Sequence, residues 1–177
     1  MPKASDARAR KASGGYAPGM SPEERVQAAL AALGLPGRVV GFPASTRTAA
    51  EAAAAVGCEL GQIVKSLLFL AAGRPTLVLV AGDRQVDTAR LAELLGTTRK
   101  RVKMGSNEEV ERITGYAPGG VAPVGTITPC DIVIDESLTR FPDIWAAAGS
   151  GHAVFPAAMM DLAAAVKGQW AAITREP

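Results

Sequence analysis

The apolar positions of this chain change period along its length, and each change predicts an element. Val26, Leu30 and Leu33 recur at helical spacing. Ser21 is placed to cap that helix, Pro22 suits its first turn, Glu24 stands three residues after the cap and Gly34 closes the run. Residues 38–42 read as a short strand. Thr48 then caps a second helix, Ala49–Val56, which Gly57 stops, and its alanine face calls for close packing against a flat surface. Residues 63–72 predict a strand, Gly73, Arg74 and Pro75 a turn, and residues 76–81 the returning strand of a hairpin. Asp87 caps a third helix that runs to Leu95 before Gly96. Val102 and Met104 mark a short extended segment, and Asn107 opens a fourth helix through Ile113.

The second half is less regular. Residues 115–125 form a glycine- and proline-rich stretch, and residues 132–134 predict a buried strand that ends at Asp135. Trp145 and Ala146 precede a second glycine-rich turn at residues 149–152. Val154 and Phe155 predict a strand, residues 156–166 a helix and residues 170–173 a last strand. No internal repeat is evident. Helices and strands mix without regular alternation, so the expected class is α+β with a mixed sheet rather than a doubly wound one.

Composition narrows the picture. A length of 177 residues suits one domain, and 48% hydrophobic residues with only 5% aromatic ones predict an aliphatic core. The longest apolar runs, residues 67–72 and 76–81, are too short to cross a bilayer, and the N-terminus shows no apolar signal core. A cytoplasmic protein with no membrane association is the expectation. Cys58, Cys130 and the single His152 match no compact zinc spacing, so free thiols and no bound metal are expected. A disulfide is not expected in a reducing compartment. Of the net charge of +2, residues 1–20 supply +3 and the remainder −1. Residues 1–20 therefore read as a disordered basic tail and residues 21–177 as the domain. Bulk charge excludes a strongly basic nucleic-acid binder, and any RNA contact must be local.

Candidate chemistry is sparse. Lys65 stands in mid-strand among Ile63, Val64, Leu67 and Leu68, sharing a face with Ile63 and Leu67, while Ser66 shares the other face with Val64 and Leu68. A lysine there must pair its ammonium or reach water. It either snorkels at a sheet edge or anchors a phosphate or carboxylate at a cleft mouth. Pro118 and Gly119 are a turn signal, and the glycines of residues 115–125 allow a ligand to approach the main chain. No lysine follows them as in a phosphate loop, no dinucleotide fingerprint is present and there is no GxSxG elbow. The residues alone lead to a cleft lined by Lys65, two glycine turns and His152.

In order and spacing, these elements resemble the YbaK/prolyl-tRNA-synthetase-associated domain family. Ser45, Thr46, Arg47 and Thr48 precede the alanine helix; Ile63, Val64, Lys65, Ser66 and Leu67 carry the lysine; residues 115–125 form the glycine-proline loop; Ile134 and Asp135 follow; residues 149–152 bear the histidine. The similarity runs from about Ser21 to about Ala171. It implies a central mixed, barrel-like β-sheet flanked by helices. It also implies hydrolysis, in trans, of the ester between a wrong amino acid and the 3′ end of a tRNA. The expected substrates are tRNA(Pro) or a related tRNA charged with alanine, cysteine, serine or threonine. Lys65 would contact the terminal phosphate, and Gly119 and Gly120 would face the ester. Ser45, Thr46, Ser66, Gly149, Ser150 and His152 would shape the substrate pocket. The implied partner is the aminoacyl-tRNA acceptor end, with a synthetase as a further candidate, and no cofactor is expected. Two other readings compete: a non-catalytic binding module of the same fold, and a hydrolase using a cysteine or serine nucleophile.

Overall fold

The structure is a computed structural model that describes residues 16–44, Thr46 and residues 48–177. Most of the predicted tail, and Ser45, lie outside the described residues. Five α-helices are present among those described: α1 (Pro22–Ala32), α2 (Ala49–Val56), α3 (Thr88–Leu94), α4 (Asn107–Thr114) and α5 (Met159–Val166). Local chemistry sets their ends. Ser21 Oγ accepts the Glu24 N–H at 3.1 Å, and Glu24 returns the bond to the Ser21 N–H at 2.7 Å. This satisfies two donors that the helix leaves open. Thr48 with Glu51 and Ser106 with Glu109 repeat the device on α2 and α4. Gly57 and Gly115 close those two helices at φ +72° and +75°, where other residues are strained.

The strands are β1 (Val40–Gly41), β2 (Ile63–Ala71), β3 (Arg74–Ala81), β4 (Gln85–Val86), β5 (Val102–Met104), β6 (Asp131–Asp135), β7 (Asp143–Ala147), β8 (Ala153–Ala158), β9 (Gln169–Ala171) and β10 (Thr174–Arg175). Eight build one mixed sheet in the order β1-β8-β7-β2-β3-β6-β9, with β5 also on β2. β4 and β10 pair separately. The contacts β2–β7, β3–β6 and β6–β9 are parallel and the others antiparallel. This is the α+β architecture expected, a large mixed sheet flanked by helices. The pleat divides β3 between two cores: Leu77 and Leu79 join Leu30 of α1, Ile113 of α4 and Leu162 of α5, whereas Val78 and Val80 join Phe69, Leu91 of α3 and Val102. Each such side chain, fully buried, contributes about 1.5–3 kcal/mol. The alanine face of α2 packs Ala52 and Ala53 against Ile63.

One feature of the sheet positions the site. β2 pairs with β3 from Val64 to Ala71, but its other edge is shared. β7 takes Ile63 and Val64, and β5 takes Phe69, Leu70 and Ala71. Gly105 N–H reaches the Leu68 carbonyl at 2.9 Å, so residues 65–67 are left without a strand beside them on that edge.

Several elements differ from expectation. The hairpin turns at Ala72 and Gly73, both at positive φ (51° and 81°), as a two-residue turn matched to strand twist demands. Arg74 and Pro75 are already in β3, and Pro75 comes just before β6 begins pairing at Thr76. Pro156 does not open a helix; β8 carries it opposite Trp145, and α5 starts at Met159. The strand predicted at 38–42 shrinks to Val40–Gly41, the last main-sheet strand is Gln169–Ala171, and β7 was not anticipated as a strand. Buried Asp135 accepts bonds from Ser137 N–H, Ile173 N–H and Thr174 Oγ1, each at 2.9 Å, and so holds the C-terminal segment to the end of β6.

Candidate functional site

A cleft of about 230 Å³ opens over the unpaired edge of β2. Lys65, Ser66 and Leu67 of β2 line it together with Thr46, Thr48 and Ala49 at the start of α2 and with Gly119, Val121, Ala147 and Ser150 from the later segments. Lys65 is the one ionisable side chain in the described lining, and the remaining surface is small and aliphatic or hydroxylic.

The two glycine turns are braced from behind. Tyr116 is buried, and its hydroxyl donates to the Val124 carbonyl at 2.8 Å, across the base of the 115–125 loop. Burial pushes that hydroxyl's pKa up to about 12, so it stays a donor. The Arg25 guanidinium lies 4.4 Å from the Tyr116 ring centre and donates to the Gly115 carbonyl at 2.6 Å. Val121, Ala122 and Val124 are buried, so the loop is tied into the core by its own side chains. Gly120 touches the second turn directly: a Cβ there would stand 2.5 Å from Ser150 Cα. Gly149 N–H donates to the Gly120 carbonyl at 2.9 Å, and Gly149 itself, at φ +99°, is pressed on Pro22. From the far side, Thr46 gives its N–H (2.6 Å) and its hydroxyl (2.9 Å) to the Gly151 carbonyl.

Lys65 is half-buried and its ammonium donates to the Arg84 carbonyl in the turn between β3 and β4. Burial pushes its pKa below the ordinary lysine value, and the nearby Asp83 anion works the other way. Ser66 Oγ, on the opposite face, is buried and has no hydrogen-bond partner in the protein. Ser150 has a carboxylate beside it: a hydrogen bond with the Ser150 side chain is the main cause holding Glu23 below its usual range.

The structure thus brings Lys65, Ser66, Thr46, Gly119 and Ser150 together around one cleft. Gly120 and Gly149 lie outside the lining, as the joint between the two turns, and the Gly120 N–H is spent on the Ala117 carbonyl at 2.9 Å. Gly119, at φ +84° with open space at its Cβ position, is the glycine that faces the cavity. The His152 side chain is exposed and outside the lining; its backbone carbonyl accepts the Phe42 N–H at 2.6 Å. Sequence reasoning missed Glu23, Asp83 and Arg84, whose only signals were a helix cap and a turn. Cys58 and Cys130 are free and do not line the cleft. Burial pushes the Cys130 thiol up to about 11 and raises Cys58 as well, the reverse of an activated nucleophile.

A fold of this kind has known counterparts. The aminoacyl-tRNA editing domain family matches residues 43–165, and the chain belongs to that family. A crystal structure provisionally assigned as a trans-editing enzyme for prolyl tRNA synthetase superposes with a TM-score of 0.82 at 42% identity, covering 90% of this chain and 99% of that one. The uncharacterized protein YwhH of Bacillus subtilis is 34% identical over 113 residues, 63% of this chain and 70% of that protein. The proline–tRNA ligase of Bacillus licheniformis is 37% identical over 106 residues, 60% of this chain but only 18% of the ligase. Among the described residues, no helix is long and apolar enough to cross a membrane.

Proposed function

We propose that this protein is a deacylase that hydrolyses, in trans, the ester joining a small, wrong amino acid to the 3′ end of a tRNA. The observation that carries the reading is the cleft itself. Half-buried Lys65, on an unpaired strand edge, and Gly119, with open space at its Cβ position, line the same pocket, which is otherwise small and uncharged. Its volume of about 230 Å³ is below the roughly 300–1,000 Å³ of drug-sized sites and suits a small aminoacyl group.

In this reading Lys65 anchors the terminal phosphate. Its bond to the Arg84 carbonyl uses one of three N–H donors and leaves the others for the ligand. The main chain at Gly119 faces the ester. Thr46, Ser66 and Ser150 line the amino-acid end of the pocket, and the aliphatic walls limit the size of what it takes. No side chain in the described lining is a strong base or nucleophile, and an aminoacyl ester, already activated, needs none. Holding ester and water in register lowers the barrier, oriented backbone dipoles stabilise the developing oxyanion, and the substrate's own ribose hydroxyl is available to activate water. Such a second pocket is useful because a synthetase rejects a near-isosteric amino acid by only about 1–3 kcal/mol. The RNA body needs little from this domain. Arg99, Lys100, Arg101 and Lys103, exposed beside and on β5 and in no ion pair among the described residues, are a local positive patch on the same sheet to which an RNA backbone could be drawn.

The test is a deacylation panel: tRNA(Pro) charged separately with Ala, Cys, Ser and Thr, beside the matched Ala-tRNA(Ala), Ser-tRNA(Ser) and Thr-tRNA(Thr). Loss of one or more esters above the spontaneous rate, abolished in a folded Lys65→Ala variant, is expected. No loss on any member would overturn the reading in favour of a non-catalytic binding module.

A further inference from the structure

The Lys65 ammonium does not hang free in the cleft. It is seated on the carbonyl of Arg84, nineteen positions along the chain, in the short turn that joins β3 to β4. That turn is fixed by contacts besides the lysine. Gly82 packs so closely on the main chain at Leu60 and Ile63 that a Cβ there would collide with the Leu60 carbonyl. Arg84 N–H closes the turn on the Ala81 carbonyl at 3.0 Å. Asp83 is gripped by both ends of the Arg140 guanidinium, Nη1 to Oδ2 at 2.9 Å and Nη2 to Oδ1 at 2.7 Å. Arg140 is itself aimed: its Nε donates to the Ser137 carbonyl at 2.7 Å, and its guanidinium lies 4.9 Å from the Phe141 ring centre. Ser137 is in turn bonded through its N–H to buried Asp135. A continuous run of hydrogen bonds therefore leads from the end of β6, through Arg140 and Asp83, to the turn that holds the lysine.

The chemistry of this run is selective. A bidentate guanidinium–carboxylate pair defines an orientation as well as a distance. A pair this exposed, with side chains 37% and 32% accessible, adds little to stability. Its geometric consequence lies at the turn: if the pair is broken, the Arg84 carbonyl that seats Lys65 loses one of its braces, and if Asp83 itself is removed Lys65 also loses the anion beside it.

We infer that Asp83 and Arg140 are positioning residues for Lys65, their ion pair fixing the 82–84 turn so that its carbonyl holds the ammonium at the mouth of the cleft. This rests on the reading of Lys65 as the substrate anchor. The experiment compares wild type, Asp83→Ala and Arg140→Ala in two assays. The first is kcat/KM for the best ester of the deacylation panel, with the thermal midpoint as a check on folding. The second needs no substrate: limited acetylation by acetic anhydride at pH 8, with Lys65 and exposed Lys103 quantified by peptide mass spectrometry in the same digest. Both variants are expected to fold and to lose about tenfold in kcat/KM, as a misplaced contact group does. Asp83→Ala is expected to raise acetylation of Lys65 several-fold with Lys103 unchanged. Wild-type kcat/KM in both variants overturns the positioning role. A loss of activity with Lys65 labelling unchanged overturns it as well, because the pair would then act only on the fold. If the wild-type protein cleaves no ester, the deacylase reading fails, and the labelling assay still decides whether Asp83 holds the lysine.

Discussion

Adjacent glycines of one loop should respond differently to the same methyl group. At Gly120 an added Cβ meets Ser150 backbone at 2.5 Å (Cα), 2.6 Å (N) and 2.7 Å (C), atoms that cannot swing aside as a side-chain tip would. Gly120→Ala must therefore push the 149–152 turn away from the 115–125 loop. It also breaks the 2.9 Å bond from Gly149 N–H to the Gly120 carbonyl. Overpacking costs about 1–3 kcal/mol and the lost bond about 1 kcal/mol, together about 2–4 kcal/mol. At about 2–4 °C per kcal/mol for a chain of this size, the thermal midpoint should fall by roughly 5–15 °C. Because Ser150 lines the cleft beside Gly119, kcat/KM for deacylation should fall about a hundredfold at temperatures where the variant is folded. At Gly119 the same methyl meets nothing within 4 Å, and its cost is the strain of φ +84°, about 1–2 kcal/mol. Gly119→Ala should therefore be the more stable of the two. The assay is paired: calorimetric or dichroism melts, and single-turnover deacylation, for both variants. A Gly120→Ala protein with the midpoint and rate of wild type would refute the claim that the two turns are in contact.

Two further outcomes follow from the cleft. Ser66→Ala removes a buried hydroxyl without a partner, whose desolvation costs about 1–3 kcal/mol, so the melting temperature should hold or rise; the ratio of kcat/KM for Ser and Ala esters should shift several-fold, and an unchanged ratio would remove Ser66 from the amino-acid pocket. Burial disfavours the charged form of Lys65, so its proton is lost at a lower pH than from an exposed lysine. Affinity for an uncharged tRNA acceptor minihelix should accordingly be present at low pH and be lost as pH rises, with a midpoint below the ordinary lysine value of 10.5, whereas Lys65→Arg, which keeps its charge, should show no such limb; a limb at the same pH in both proteins would assign it to another group.

What could be read in the sequence was local, and what could not was a relation between distant segments. The caps at Ser21, Thr48 and Asp87 were legible because each is completed within three residues. Lys65 stood out because an ammonium in an apolar strand needs a partner, yet the partner is the Arg84 carbonyl, reached only when β3 has returned alongside β2. The pairing of Asp83 with Arg140 spans 57 positions and carries no local signal. Gly119 and Gly120 are identical by composition; contact with Ser150 alone separates the glycine that faces the cavity from the one that joins the turns. Pro156 misled because proline suits a helix start as well as a strand, and only its place opposite Trp145 decides between them. The cleft shows the same division. Its lysine, its hydroxyls and its glycines are each visible as residues, but the opening exists because β7 stops pairing with β2 at Val64 and β5 does not begin until Phe69. A β5 ladder extended by one further pair of bonds toward Lys65 would cover the strand edge without changing a single motif. The site therefore depends as much on where β5 ends as on the residues that line it.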